Sequence, residues 1–240
     1  MEQLADSLTK WIREKVLEVR KTGAVVGLSG GIDSAVVAVL CKRAFPETTL
    51  AAIMTCYSGK TDVSHAYELA KKFDITTEMI KIEPVYDSLL KVLPCGDNYH
   101  RNDKMSQSNI KPRLRMMTLY YLAAQLDYLV VGTGNRSEIA VGYCTKYGDG
   151  GVDILPLGNL VKRQVMELAV YLEIPKAIIS KPPSAGLWEG QTDEGEMGLT
   201  YDELDRYLTT GKASDIVKAK IEAMSKRSAH KRALPPIPPF

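Results

Sequence analysis

The sequence predicts an α/β fold, a single-domain three-layer parallel sheet with helices on both faces, from three observations. Short β-prone apolar runs at residues 24–28, 50–55, 76–82 and 128–132 are separated by helically periodic stretches at 34–44, 62–73 and 110–126. Strands that alternate with helices pair in parallel and are covered on both faces by the crossovers. The 240 residues, 45% hydrophobic and 25% charged, suffice for one domain, 1–240, with a sizeable core.

In chain order, residues 2–22 come first, with Leu4, Leu8, Trp11, Ile12, Val16 and Val19 on one stripe, the pattern of an amphipathic helix lying on the core. The strand at 24–28 turns through two glycines into the helix at 34–44, and two further strand and helix pairs follow. Residues 94–108 are polar, with Asp97, Asn98, His100, Arg101 and Asn102, and read as a loop serving as an insertion or a partner-contact surface. Pro112 is tolerable only in a first helical turn, so the next helix begins near Asn109. Residues 182–200 combine Pro182 and Pro183 with Gly186, Gly190, Gly195, Gly198 and four acids, which predicts a mobile segment able to close over a site. Residues 212–232 carry seven Lys or Arg against two acids in an amphipathic helical pattern, and a tail ending ProProIleProProPhe cannot continue that helix.

Composition excludes several classes. With 31 Lys and Arg against 29 Asp and Glu the net charge is +2, too balanced for a general nucleic-acid binder, so no nucleic-acid partner is expected. No apolar run approaches the roughly 20 residues that span a bilayer, and the start MEQLADSLTKW lacks a secretion signal, which predicts a cytoplasmic protein with no membrane partner. Cys41, Cys56, Cys95 and Cys144 contain no CxxC pair and read as reduced structural thiols.

In parallel sheets ligands bind beyond the carboxyl ends of the strands, so the loops starting at Ser29, Thr55 and Thr133 should share one crevice. The first is the most informative. Within Gly27-Leu28-Ser29-Gly30-Gly31-Ile32-Asp33-Ser34, glycines without Cβ atoms let backbone amides approach an anion, and the following helix start adds free amides and a positive dipole end. This is a phosphate cradle. It matches neither GxGxxG nor GxxxxGK[ST], because no lysine follows the glycines, which argues against a P-loop phosphoryl transferase. The plainer reading is that Asp33 or Ser34 only caps a helix.

SerGlyGlyIleAspSer resembles the pyrophosphate loop of the ATP pyrophosphatase superfamily, of adenine nucleotide α-hydrolase-like (Rossmann-like) fold, whose members cleave ATP between the α- and β-phosphates. AsnIleLysProArgLeuArgMet at 109–116, ValGlyThrGlyAsnArgSerGlu at 131–138, TyrGlyAspGlyGlyValAspIle at 147–154 and ProLeuGlyAsnLeuValLys at 156–162 look like successive motifs of the NAD synthetases. So do LysProProSerAlaGlyLeuTrp at 181–188 and HisLysArg at 230–232. Similar motifs in one order span nearly the whole chain.

The resemblance implies amidation of deamido-NAD by ammonia with ATP, giving NAD, AMP and pyrophosphate through an acyl-adenylate. It places ATP on Gly27, Leu28, Ser29, Gly30, Gly31, Ile32, Asp33 and Ser34, with further contacts from Thr133, Lys162 and Ser184. It implies Mg2+ held by Asp33 and Glu138, catalytic roles for Asp33, Thr133 and Lys162, and dinucleotide contacts from Arg113, Lys146, Asp153, His230 and Lys231. A hard cation suits a carboxylate beside phosphates, and a lysine can neutralise charge on a leaving pyrophosphate. Without the resemblance, Thr133 and Glu138 would read as helix caps, and Arg113, Lys162, His230 and Lys231 as surface charge. Glutamine-dependent relatives carry a separate glutaminase domain, for which 240 residues leave no room, so free ammonia is the expected donor. A homodimer with the dinucleotide at its interface is also implied. Met116, Met117, Leu119, Tyr120 and Tyr121 fit either a two-fold contact or plain core.

Two other readings stay open on the residues alone. One is a pyrophosphate-loop enzyme that adenylates a tRNA base and holds the RNA with 212–232. The other is a non-catalytic nucleotide binder that offers its proline-rich tail to a partner.

Overall fold

Four parallel strands pair in the order β3-β2-β1-β4: β1 (Gly23–Gly27), β2 (Thr49–Thr55), β3 (Thr76–Lys81) and β4 (Tyr128–Val131). They belong to a computed structural model that describes residues 1–94, 103–188 and 190–240. The expected polar residues from Asp97 to Asn102, and Cys95, lie outside the described residues. Successive side chains of a strand point to opposite faces, and the apolar positions divide accordingly. Ala24, Val26, Ala51, Ile53, Leu129 and Val131 enter one core, whereas Val25, Leu50, Ala52, Met54 and Val130 enter the other. That division gives the three layers.

The first face is covered by α1 (Glu2–Glu18), α2 (Ile32–Ala44) and α3 (Lys60–Lys72). Ile12 and Val16 of α1 are fully buried there, while Val19, expected on the same stripe, falls beyond the helix and is exposed. Enclosed between α1 and the sheet, α2 is apolar nearly all round. The second face is covered by α4 (Glu83–Val92) through Tyr86. After the short α5 (Asp103–Ser108), α6 (Ile110–Leu126) adds Leu114, Leu119 and Ala123 to that face. Pro112 is the third residue of α6, where it costs no helical hydrogen bond, as its position predicts.

Beyond β4 the chain forms α7 (Arg136–Val141), α8 (Lys162–Tyr171), α9 (Lys176–Ile179), α10 (Asp193–Met197), α11 (Tyr201–Thr210), α12 (Asp215–Arg227) and a 3₁₀ turn at Ala229–Lys231. Val165 and Leu168 of α8 and Ile178 of α9 join the first core. Val141, Met197, Leu199, Tyr201, Leu204 and Ile221 form a third, smaller core. This core reaches into the segment 182–200, expected to be mobile. Its second half is helical and anchored by buried Asp193, Met197 and Leu199, leaving 181–192 as the stretch with little buried apolar anchorage. The basic helix is also shorter than 212–232, because Ser214 caps its start and the chain tightens into the 3₁₀ turn after Ser228.

The three expected loops do converge. Asn135, after β4, donates through Nδ2 to Asp33 Oδ1 at 2.9 Å, after β1. The Gly30 backbone lies against the Asp62 carbonyl of α3, the helix that follows β2.

Candidate active site

The turn from β1 into α2 is held by its own hydroxyls. Ser34 Oγ accepts from Ser29 N at 3.2 Å and donates to Gly31 O at 2.9 Å, and it lies 3.0 Å from Ser29 Oγ. Ser29 Oγ in turn accepts from Gly31 N at 3.3 Å. Gly30 has φ +79°, and a Cβ there would stand 2.1 Å from the Asp62 carbonyl oxygen, so the turn requires glycine. Gly31, which precedes the first turn of α2, has no side chain to cap it. Together, an uncapped helix start and a glycine turn suit an anion. Leu28 and Ile32 point into the core and the Leu28 amide donates to Ala52 O, so these two residues shape the loop.

Opposite the turn, three elements bring charge to one point. Asp33 is the second residue of α2, Glu138 the third of α7 and Lys162 the first of α8. Lys162 Nζ donates to Asp33 Oδ2 at 2.5 Å and stands 3.6 Å from Glu138 Oε1. Its side chain is 3% exposed, against 17% for each carboxylate. Burial opposes the Lys162 charge, but Asp33 and Glu138 outweigh it and the ammonium is held well above its ordinary value. Burial, reinforced by repulsion from Asp33, pushes the Glu138 carboxyl upward against the pull of Lys162.

Glu138 also serves as a cap. Asn135 Oδ1 accepts from Glu138 N at 3.0 Å, and Glu138 Oε2 accepts from Asn135 N at 3.2 Å, a complete capping box. One oxygen of this carboxylate thus serves the cap while the other faces Lys162. Thr133 lies half-buried just past β4, which pairs with β1, and so stands beside the start of the glycine turn. Ser184 is exposed, with its hydroxyl accepting from Gly186 N at 3.1 Å, and the structure does not bring it into bonding contact with the Asp33, Glu138 and Lys162 cluster.

The residues expected to hold the dinucleotide form a second group around α6 and the loop 142–153. Arg113, exposed on α6, donates from Nε to Lys146 O at 3.4 Å, and Lys146 Nζ lies 5.2 Å from the centre of the Tyr147 ring. Asp153 braces β4, accepting from Val130 N at 2.8 Å and from Tyr120 OH at 3.0 Å. Lys231 Nζ donates to Gly142 O at 2.8 Å and Cys144 O at 2.7 Å, tying the 3₁₀ turn to the same loop. His230 is exposed beside it.

Several residues at the cluster escaped sequence reasoning. The Tyr201 ring lies 5.0 Å from Lys162 Nζ, and its hydroxyl is 3.4 Å from Glu138 Oε1 and donates to Asp193 Oδ2 at 3.0 Å. Asp193 is buried, its Oδ1 has no hydrogen-bond partner among the described residues, and burial raises its pKa. Asn135 was legible as the cap in AsnArgSerGlu, but Asp193 and Tyr201 lie outside any motif with a fixed chemical meaning. The 181–192 stretch is fastened at both sides of the crevice. Lys181 pairs with Asp62, and Lys111 Nζ donates to Leu187 O at 2.7 Å.

Asp33 and Glu138 suit a divalent cation. Their oxygens already converge on one cationic atom, the Lys162 nitrogen, and are hard donors. Among the described residues no cluster of three or more His, Cys, Asp or Glu forms a metal site. Two carboxylates beside a phosphate cradle match magnesium, which takes one or two carboxylates and fills its shell with phosphate oxygens and water.

A family model described as NAD synthase matches residues 4–235. The chain is 50% identical over 237 residues to the NH(3)-dependent NAD(+) synthetase of Carboxydothermus hydrogenoformans, covering 99% of this chain and 97% of that protein. Among solved structures it resembles NMN synthetase from Francisella tularensis, with TM-score 0.93 and 41% identity over 100% of this chain and 98% of that one. It also resembles the NH3-dependent NAD synthetase of Campylobacter jejuni, with TM-score 0.79 and 31% identity over 98% and 97%.

Proposed function

Because the chain belongs to the NAD synthase family, we infer that it catalyses the ATP-dependent amidation of deamido-NAD by ammonia to NAD, with release of AMP and pyrophosphate. The observation that carries this reading is the buried Asp33, Lys162 and Glu138 cluster facing a glycine turn that lacks the P-loop lysine.

The turn from Gly27 to Ser34 holds the ATP phosphates through its amides, with Thr133 beside it and Ser184 supplied by the 181–192 stretch. Asp33 and Glu138 hold Mg2+, which offsets phosphate charge. The nicotinate carboxylate oxygen attacks the α-phosphorus and the bond to the β-phosphate oxygen breaks, giving an acyl-adenylate and pyrophosphate. Lys162 stabilises the negative charge that gathers on that leaving group. Ammonia then attacks the acyl carbon, the C–O bond to AMP breaks, and the surplus proton leaves. Asp193 Oδ1, unpartnered among the described residues, offers the nucleophile a buried acceptor. Closure of 181–192 excludes water from the activated acyl group. Arg113, Lys146, Asp153, His230 and Lys231 bind the dinucleotide, whose pyrophosphate and carboxylate suit a largely basic set.

The whole chain, 1–240, acts as one synthetase domain in a homodimer. Arg113, Met117 and Tyr121 lie at i, i+4 and i+8 on α6 and are all exposed, a face suited to a second copy whose dinucleotide is shared across the interface. The buried free thiols Cys41 and Cys56 suit the reducing cytoplasm, where we place the reaction. A magnesium-dependent assay with ammonium tests the proposal. Equal yields of AMP, pyrophosphate and NAD are expected, and ATP binding without AMP formation would refute catalysis.

A second acceptor, the nicotinate mononucleotide, is favoured by the likeness to an NMN synthetase over the full chain. Competing the two acceptors in one tube decides between them by the ratio of kcat/KM.

A further inference from the structure

Lys162 reaches the cluster from the first residue of α8, and the start of that helix is capped from elsewhere. The preceding residue is Val161, whose side chain cannot accept a hydrogen bond. The missing acceptor comes from Asp205 on α11, a carboxylate 6% exposed. Asp205 Oδ2 accepts from Arg163 N at 2.8 Å, and Oδ1 accepts from Ser137 Oγ at 2.5 Å. Ser137 Oγ accepts in turn from Lys162 N at 3.1 Å. Ser137 immediately precedes Glu138 on α7. One buried carboxylate therefore fixes, through one hydroxyl, the backbone of both Lys162 and Glu138.

The same helix also touches the far end of the lysine. Tyr201, four residues before Asp205 and hence on the same face of α11, places its ring under Lys162 Nζ. A lysine has four side-chain torsions, and its ammonium is useful only where the leaving phosphates gather charge, so holding both ends removes freedom that substrate binding would otherwise have to remove. The Asp205 charge faces the positive end of α8, which stabilises it without a cationic side chain.

We propose that Asp205 is a positioning residue for the reaction: relayed by Ser137, it fixes Lys162 relative to Glu138. This rests on the role given to Lys162 above. It predicts that Asp205 acts on the phosphates only through the lysine.

The test is a double-mutant cycle on the full chain with Asp205→Asn, which keeps the side-chain volume, and Lys162→Met, reading Mg-ATP affinity by calorimetry and kcat with ATP and acceptor saturating. Asp205→Asn alone should weaken Mg-ATP binding and lower kcat by about 10-fold, within the range of coupled neighbours. In the Lys162→Met background the same change should alter affinity by less than about 2-fold. Additive effects would overturn the proposal, as would a loss of Tm with affinity and kcat intact. If Lys162→Met by itself leaves affinity and kcat unchanged, the role given to Lys162 fails and this proposal with it. Ser137→Ala, which removes only the relay, runs through the same cycle should Asp205→Asn not fold, and the same outcomes decide.

Discussion

At the scale of single residues, the site is a balance of buried charge. Lys162 compensates two carboxylates that repel each other, and removing one partner of such a group strands the rest. Lys162→Met should therefore destabilise the free protein by roughly 3 kcal/mol or more in denaturant titrations. Magnesium should raise the Tm of that variant more than that of the parent, since it restores positive charge between Asp33 and Glu138. Equal magnesium responses in the two proteins would separate the lysine from the metal site. Gly30→Ala acts differently, through the turn. Its φ of +79° and the Asp62 carbonyl oxygen 2.1 Å from the added carbon force the loop to move, so Mg-ATP affinity should fall by at least about 10-fold while the sheet stays intact by circular dichroism. Residue identities in the loop were legible because backbone chemistry dictates them: a glycine where φ is positive, serines where amides need acceptors. The partnership of Asp33 with Lys162 joins positions 129 apart in sequence, and no local rule predicts it. The resemblance named both residues but not their pairing. Asp193 and Asp205 were missed because the roles proposed for them come from burial against elements remote in the chain.

At the scale of elements, short apolar β-prone runs alternating with helically periodic stretches made the sheet and its layers readable in advance. The short elements after β4 were not, because helices of four to six residues such as α7, α9 and α10 carry too few turns for a periodic signal. The glycine and proline content of 182–200 argued for mobility over its whole length. Met197 and Leu199 tie its second half to the third core. Hydrogen exchange should therefore divide the segment. Amides at 193–200 should be protected in the free protein, while those at 184–188 exchange quickly and slow when Mg-ATP and acceptor are both bound. Uniform fast exchange across 182–200 would restore the longer lid. Within α7, Asn135→Ala removes both the cap and the bond to Asp33, and should cost about 1 kcal/mol of stability and raise the KM for ATP.

At the scale of the whole molecule, the loops after β1, β2 and β4 meet because parallel strands present all their carboxyl ends on one side. In the proposed reading the Asp33, Glu138 and Lys162 cluster serves the activating nucleotide and the group around Arg113 and Lys146 the acceptor. If the exposed α6 face joins two copies, Met117→Glu with Tyr121→Glu should shift the protein to monomer in sedimentation. It should also raise the KM for the acceptor more than that for ATP, because only the acceptor would be shared. An unchanged sedimentation coefficient would move the interface elsewhere.

Activation of the carboxylate by adenylation at the Asp33, Glu138 and Lys162 cluster can be followed directly with an isotope. Deamido-NAD labelled with oxygen-18 in its nicotinate carboxylate is turned over with Mg-ATP and ammonium, and the products are weighed by mass spectrometry. Attack of the carboxylate on the α-phosphorus predicts one labelled oxygen in each AMP formed, with unlabelled pyrophosphate. Label in inorganic phosphate, or AMP released without label, would contradict it.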